Sequence, residues 1–299
     1  MAFPGAGGYA NLPQGNFTPV IYSQKVLKFF RTASVSEAIT NTDYAGEIEN
    51  YGDTVRIIKE PVVTVSAYAR GAMTNIQDLA DDDISLIVDQ GNYFAFKVDD
   101  VEERQSHVNW ESLAVSSGAY KLKDSYDENI IAAMIAGAGT TIGSDGSGQD
   151  VGHDAGEIDP LNVLANHCRR MNSADVPEEN RWFLAPPQFY EELGQSTSRL
   201  IEAEKMGDGP SRLLNGRTYG REVQGFALYM TNNFAASSTS NYYKVLSGHM
   251  SATATASHIA KTEVIRDPDS FADIVRGLHV FGRKVIRSEA LFAEHVLID

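Results

Sequence analysis

A single cysteine, Cys168, stands among the 299 residues of this chain. An intrachain disulfide is therefore impossible, and so is a cysteine-built zinc cluster. Long apolar runs are missing as well. The longest, residues 130–138, falls far short of the ~20 residues that a membrane-spanning helix needs. The opening Met-Ala-Phe-Pro-Gly-Ala-Gly-Gly has neither a basic stretch nor an apolar core, so no secretory signal is expected, and the chain reads as one made in the cytoplasm. Positive charge is scarce: 25 Lys and Arg face 40 Asp and Glu, for a net charge of −15. Residues 1–150 hold 21 acidic and 10 basic side chains, and residues 151–299 hold 19 and 15. Sequence-general binding to nucleic acid draws on Lys and Arg that neutralise phosphates, and this balance disfavours it.

Catalytic signatures are absent too. No G-x-x-x-x-G-K-[ST] loop and no G-x-S-x-G elbow occurs. Residues 137–143 form G-x-G-x-x-x-G behind a helical stretch, whereas a dinucleotide fingerprint follows a strand and opens a helix. The seven histidines, at 107, 153, 167, 249, 258, 279 and 295, include no i, i+4 pair, so the zincin arrangement is excluded. Asp145, Asp150, Asp154, Glu157 and Asp159 crowd a Gly-rich stretch and invite a calcium reading. Counted from Asp145, position 6 is Asp150 and position 12 is Gly156, where an EF-hand needs Gly and Glu. A solvated linker is the better account. No catalytic, cofactor-binding or metal residue is assigned.

What is present is a core. At 42% hydrophobic residues the chain can bury one large domain or two ordinary ones. Residues 1–20 are rich in Gly and Pro and predict an extended arm. A short helix fits residues 24–31. Thr54 to Ile58 and Ile84 to Asp89 alternate as strands, the first running on through Pro61 to Val65 and the second resuming from Tyr93 to Val98. Together they predict a long antiparallel excursion whose tip, residues 69–83, ends in Asp81-Asp82-Asp83. Those three acids are a solvated turn or a contact with a neighbouring copy. Leu113, Tyr120, Ile130, Ile131, Met134 and Ile135 recur at helical spacing and predict one helix over 109–138, weakened at Gly118. Residues 139–156 read as a linker. Asp159 and Pro160 open a helix as N-cap and first residue, with Leu161, Leu164, Ala165, Cys168 and Met171 on its apolar face. Cys168 there is a small core hydrophobe. Residues 182–185 predict a buried strand, 187–193 a short helix and 225–230 a strand. Residues 271–287 predict a final β region broken at Gly277 and Gly282.

Three segments resemble the major capsid proteins of tailed bacteriophages with the Hong Kong 97-type fold. They are residues 181–193 (Arg-Trp-Phe-Leu-Ala-Pro-Pro-Gln-Phe-Tyr-Glu-Glu-Leu), 214–233 (from Leu-Asn-Gly-Arg-Thr-Tyr-Gly to Met-Thr-Asn-Asn) and 276–287 (Arg-Gly-Leu-His-Val-Phe-Gly-Arg-Lys-Val-Ile-Arg). Their order and spacing carry the likeness across residues 20–299. The resemblance implies an α+β fold with an N-terminal arm (1–45) and an extended β E-loop with adjoining sheet (46–100). It also implies a peripheral domain with a long spine helix and linker (101–156), an axial domain (157–255), and peripheral-domain C-terminal β-strands (256–299). The implied function is a structural coat protein that self-assembles as pentamers and hexamers into the icosahedral head around phage double-stranded DNA. It would enclose that DNA without sequence-specific binding, away from any membrane. Its partners would be copies of itself, a portal, a separate scaffolding protein and a decoration protein. The separate scaffold is expected because the β excursion starts too close to Met1 for a long helical leader. Lys59 and Lys97 lie in or near the E-loop, but no matched residues predict an isopeptide crosslink. Two alternatives remain at this stage. One is an encapsulin-like compartment shell; the other is an enzyme of unknown type using His167 or Cys168 with the acidic loop after Gly143.

Overall fold

The computed structural model describes residues 34–44, 54–59, 63–65, 67, 70, 83–99, 110–195, 222–268 and 272–298. The arm at 1–33, its helix at 24–31, most of the 69–82 tip and the Leu214 to Gly220 part of the resemblance lie outside the described residues. Among the described residues the architecture is mixed α+β, organised around one long helix and two larger sheets, with a separate two-stranded pair beside them.

The long helix, α2 (Trp110–Ala136), runs 27 residues, about 40 Å at 1.5 Å per residue. It ends at Gly137, where a side chain would run into Val285. Among its described side chains, Tyr126, Ile130, Ile131 and Met134 are sealed in the main core, while Tyr120 is only partly covered. A short turn of helix, α1 (Ser36–Ile39), is pinned to it by one acid. Asp127, buried on α2, accepts from Ser34 Oγ at 2.8 Å, from the Val35 amide at 3.2 Å and from Ser36 Oγ. Three donors on one buried carboxylate offset its desolvation and fix where the incoming chain crosses the helix.

The first half of α2 lies over a three-stranded antiparallel sheet of β3 (Gln90–Asp99), β10 (Thr253–Arg266) and β11 (Ala272–Val285), in the order β10-β11-β3. Gly277 and Gly282 do not break β11, which runs unbroken for 14 residues. They are instead places where a side chain would collide. Phe94 on β3 faces Gly277 across the ladder, and a Cβ at Gly277 would sit 2.5 Å from its ring. A Cβ at Gly118 of α2 would sit 2.8 Å from the same ring. Phe94 is thus held between two glycines, one on a neighbouring strand and one on the helix above. The Gly118 read in sequence as a weak point is the notch that lets the helix close on the sheet. At Gly282 a Cβ would meet the Ile87 carbonyl at 2.4 Å. That carbonyl ends β2 (Asp83–Ile87), the partner of β1 (Thr54–Ile58) in an antiparallel pair. This pair is the predicted excursion, although β1 stops at Ile58 and the described residues 63–65 are not strand. Leu86 and Val88 bury a small second core against Ala254, Ala256 and Val280.

The larger sheet has seven strands. Its order is β4 (Thr140–Ile142), β12 (Leu291–Leu297), β9 (Tyr242–His249), β6 (Arg181–Ala185), β8 (Phe226–Met230) and β7 (Glu222–Val223), with β5 (Gln149–Asp150) also on β12. The 139–156 stretch is therefore no plain linker, because it supplies two strands parallel to β12. Residues 256–299 divide between the two sheets: β11 pairs with β10 and β3, whereas β12 pairs with β9. Helix α3 (Pro160–Ser173) starts as expected, with Asp159 accepting from the Leu161 amide at 2.8 Å. Its buried face is Val163, Leu164, His167 and Met171, turned slightly from the expected one, so Cys168 is only half-buried. Helix α4 (Pro187–Leu193) follows β6, all five of whose residues are buried.

Gly118→Ala tests the notch. Ala favours a helix by ~1 kcal/mol over Gly, yet the new methyl meets a ring that Gly277 leaves no room to retreat from. The expected net effect is a loss of about 1–3 kcal/mol in urea unfolding of the subunit, partly restored by adding Phe94→Leu. Unchanged or raised stability would contradict the packing described.

Candidate functional site

The acids weighed as metal ligands are used one at a time. Asp145, in the turn between β4 and β5, accepts from Ser237 Oγ, from the Ser238 amide at 3.0 Å and from Ser238 Oγ at 2.8 Å. These donors hold its carboxyl down to about 2, and they tie the β4–β5 turn to the loop before β9. The Asp154 amide donates to Glu157 Oε2 at 2.8 Å, and Asp159 caps α3. Asp150 lies within β5. Among the described residues no three His, Cys, Asp or Glu side chains are placed to hold a metal ion.

His167 is the residue whose surroundings the sequence hid. Its Nδ1 faces Ser247 Oγ at 2.6 Å and its Nε2 faces Glu294 Oε2 at 2.9 Å, with the Phe183 ring edge-on at 5.5 Å. Serine, histidine and carboxylate in line is the arrangement of a hydrolytic nucleophile, but here it is closed. His167 and Ser247 have no solvent exposure and Glu294 has 1%. Ser247 sits in mid-strand, paired with Phe292 on one side and Phe183 on the other, so no substrate carbonyl can reach its hydroxyl. What the trio does is satisfy one another, except that Glu294 Oε1 has no partner. Cys168, next along α3, has Arg181 Nη1 at 3.9 Å and Asn172 Nδ2 at 3.8 Å and does not join the trio. The sequence could not flag this group, because its members lie 80 and 127 residues from His167.

The exposed chemistry is of another kind. On the face of the three-stranded sheet away from α2, Tyr93 pairs with Leu278, Ala95 with Arg276, and Lys97 with Ile274, which pairs in turn with Ile265. Tyr93 is 76% exposed, and Leu278 and Ile265 are also well exposed. Arg276 crosses this face to Glu263, with Nη2 2.6 Å from Oε2, and Lys97 pairs with Asp267. Ile58 at the end of β1 and Val63 and Val65 beyond it are exposed too. An exposed stripe of apolar residues, crossed midway by the Arg276–Glu263 ion pair, marks an interaction surface more than a catalytic one. Of the three tip acids, Asp83 reaches Arg56 across the β1–β2 pair at 3.5 Å; Asp81 and Asp82 lie outside the described residues.

No family model matches the sequence, and no curated protein does. Solved structures match over nearly the whole chain. A structure from Mycobacterium phage Che8 aligns with a TM-score of 0.79 at 26% identity, over 93% of this chain and 97% of that one. The capsid structure of the cyanophage P-SCSP1u aligns at 0.72 and 16% identity, over 99% and 98%. The mature capsid of bacteriophage PhiM1 aligns at 0.67 and 16% identity, over 93% and 91%.

Two tests follow from the site. Removing one partner of a buried, hydrogen-bonded pair leaves the other stranded, at about 3–5 kcal/mol. His167→Leu is therefore expected to destabilise the subunit by that order, and the double change His167→Leu with Glu294→Leu by less than the two single losses together. Additive losses would show that the two residues do not interact. The second test uses acid. The folded carboxyl of Asp145 is depressed from the ordinary 3.8 to about 2, so its contribution to stability is present above pH ~4 and lost as pH falls through about 2. Asp145→Asn is expected to be less stable than the parent at pH 5, with the gap closing toward pH 2. A gap that persists at pH 2 would contradict this.

Proposed function

We infer that this chain is the major capsid protein of a tailed phage, a structural subunit whose copies associate into an icosahedral shell and which resides in the virion. The observation that carries this is the agreement of the whole fold, helix and both sheets together, with phage capsid subunits over 93–99% of the chain. His167, weighed as a catalytic residue, is buried with Ser247 and Glu294 and serves packing.

The finer organisation follows the same reading. The three-stranded sheet with α2 would form the peripheral domain, the β1–β2 pair the base of the E-loop, and residues 34–44 the root of the N-terminal arm. The seven-stranded sheet with α3 and α4 would form the axial domain around the local five-fold or six-fold axis, and β12 goes with it. The apolar stripe of Tyr93, Leu278, Ile274 and Ile265 is then a lateral contact for a neighbouring copy, whose exposed Ile58, Val63 and Val65 offer matching chemistry. Such head-to-tail contacts between unlike patches close only over a whole shell. A scaffolding protein, a portal and a decoration protein are the further partners proposed. The charge of −15 keeps the wall from clinging to enclosed DNA.

Sedimentation velocity of the full chain, alone and with the candidate scaffold, tests this, with negative-stain microscopy on the fastest fraction. Shells, or sheets and tubes built of five- and six-membered rings, are expected. Leu278→Glu is expected to keep the circular dichroism and melting of the parent subunit while losing at least ten-fold of the assembled fraction. A compact monomer or dimer in both conditions would overturn the reading.

A further inference from the structure

One histidine is built into the joint between the long helix and the three-stranded sheet. His279 lies on β11, and its ring packs against two others. Tyr126 of α2 meets it edge-on at 5.4 Å, and Phe281 of its own strand lies nearly parallel at 5.4 Å. The residue is 9% exposed, and its Nδ1 is closed to water with no hydrogen-bond partner. A neutral imidazole can leave one nitrogen idle. An imidazolium carries a hydrogen on both, so a proton taken up here would strand a charged donor in an apolar joint.

Among the described residues no carboxylate is set to receive that charge. From α2 the group opposite is the Tyr126 hydroxyl, itself hydrogen-bonded to Thr255 and Ser257 of β10. From β3 it is Asn92, the cross-ladder partner of His279, whose Nδ2 donates to Ser125 Oγ of α2 at 3.0 Å. The carboxylates of Asp127 on α2 and Glu37 on α1 act on Tyr126 and not on the imidazole. Asp127 is taken up by three donors of the incoming chain, and Glu37 pairs with Lys123. Arg283, further along β11 opposite Thr255, has the sign of an imidazolium. Burial alone therefore governs the ring, and it pushes the pKa below the ordinary 6.5.

We propose that His279 is a proton-operated pin: neutral, it lets α2 close on the three-stranded sheet, and protonated, it drives helix and sheet apart at their join. Once the helix lifts, the ring meets water and takes its proton at the ordinary value. The lifted state thus binds more protons than the closed one. Closure is favoured at neutral pH and weakens as pH falls below 6.5 toward the lower value of the closed state. The pin is a property of the single subunit and needs no second copy.

Amide exchange on the full chain, resolved over α2 and corrected for the intrinsic effect of pH, tests this. A helix lifted off its packing face loses most of what stabilises it, so its amides report the opening. Between pH 7 and pH 5 the amides of residues 120–130 are expected to lose protection in the parent by roughly three-fold or more beyond any change in His279→Phe. That variant keeps an aromatic ring but cannot take a proton. His279→Gln should follow it, and keeps the comparison open should His279→Phe fail to fold. His249 and His295, whose pKa values burial also lowers, are present in all three chains, so the difference belongs to His279. Equal pH responses in the parent and the variants would overturn the proposal. So would an imidazole resonance of His279 that titrates at or above 6.5.

Discussion

The last strand of this chain has to enter between strands laid down long before it. β12 pairs with β9 on one side and with β4 and β5 on the other, and six of its seven residues are buried. A strand covered on both faces has no apolar–polar alternation to set its register, and a slip of one residue would exchange its faces. Glu294 supplies the missing information. It is the charged residue of β12, and in the observed register it meets His167 on α3, whose other nitrogen meets Ser247 on β9. One polar contact thus locks strand, sheet and helix together, and any other register would strand a buried carboxylate. The turn just before β12 also receives the entry to β4 through Gly139 and Ser288, so the placement of β12 fixes the edge of the larger sheet.

From that anchored sheet the long helix reaches back over the smaller one. The C-terminal half of α2 belongs to the core beneath β12, and its N-terminal half lies on β3 and β11. Tyr126 marks the join, with the His279 ring at 5.4 Å and the Phe281 ring at 5.1 Å, both edge-on. Burial there raises the tyrosine's pKa and lowers that of His279, as expected of groups removed from water. A rigid rod spanning two sheets lets a subunit transmit orientation from one contact region to another. A shell assembled from one chain in both five-fold and six-fold settings has use for stiff units joined by narrow contacts, with apolar stripes exposed at their edges.

Much of this was legible in the sequence, and the exceptions share a cause. Local signals were read correctly where local physics decides: the Asp159-Pro160 start of α3, the apolar run of β6, the long helical period of α2, the alternation of β1 and β2. The misreadings concern glycines and non-local pairing. Gly118, Gly277 and Gly282 look like breakers because sequence shows the missing side chain and not the ring or carbonyl that occupies its place. The 139–156 stretch looks like a linker because its two short strands exist only by virtue of β12, more than 140 residues away. The face of α3 was misjudged by one position for the same reason: His167 is buried because Glu294 and Ser247 await it. The apolar stripe was half-legible, since Tyr93 and Ala95 alternate with Phe94 and Phe96, but nothing local tells which face the helix will cover.

The most direct measurement is a cryo-electron reconstruction of particles formed by the full chain, alone or with a candidate scaffold. The account predicts the same fold at both five-fold and six-fold positions, with the seven-stranded sheet nearest the local axes and the Tyr93–Leu278 stripe covered by a neighbour. Particles in which that stripe faces solvent everywhere, or in which the three-stranded sheet lies at the axes, would contradict it.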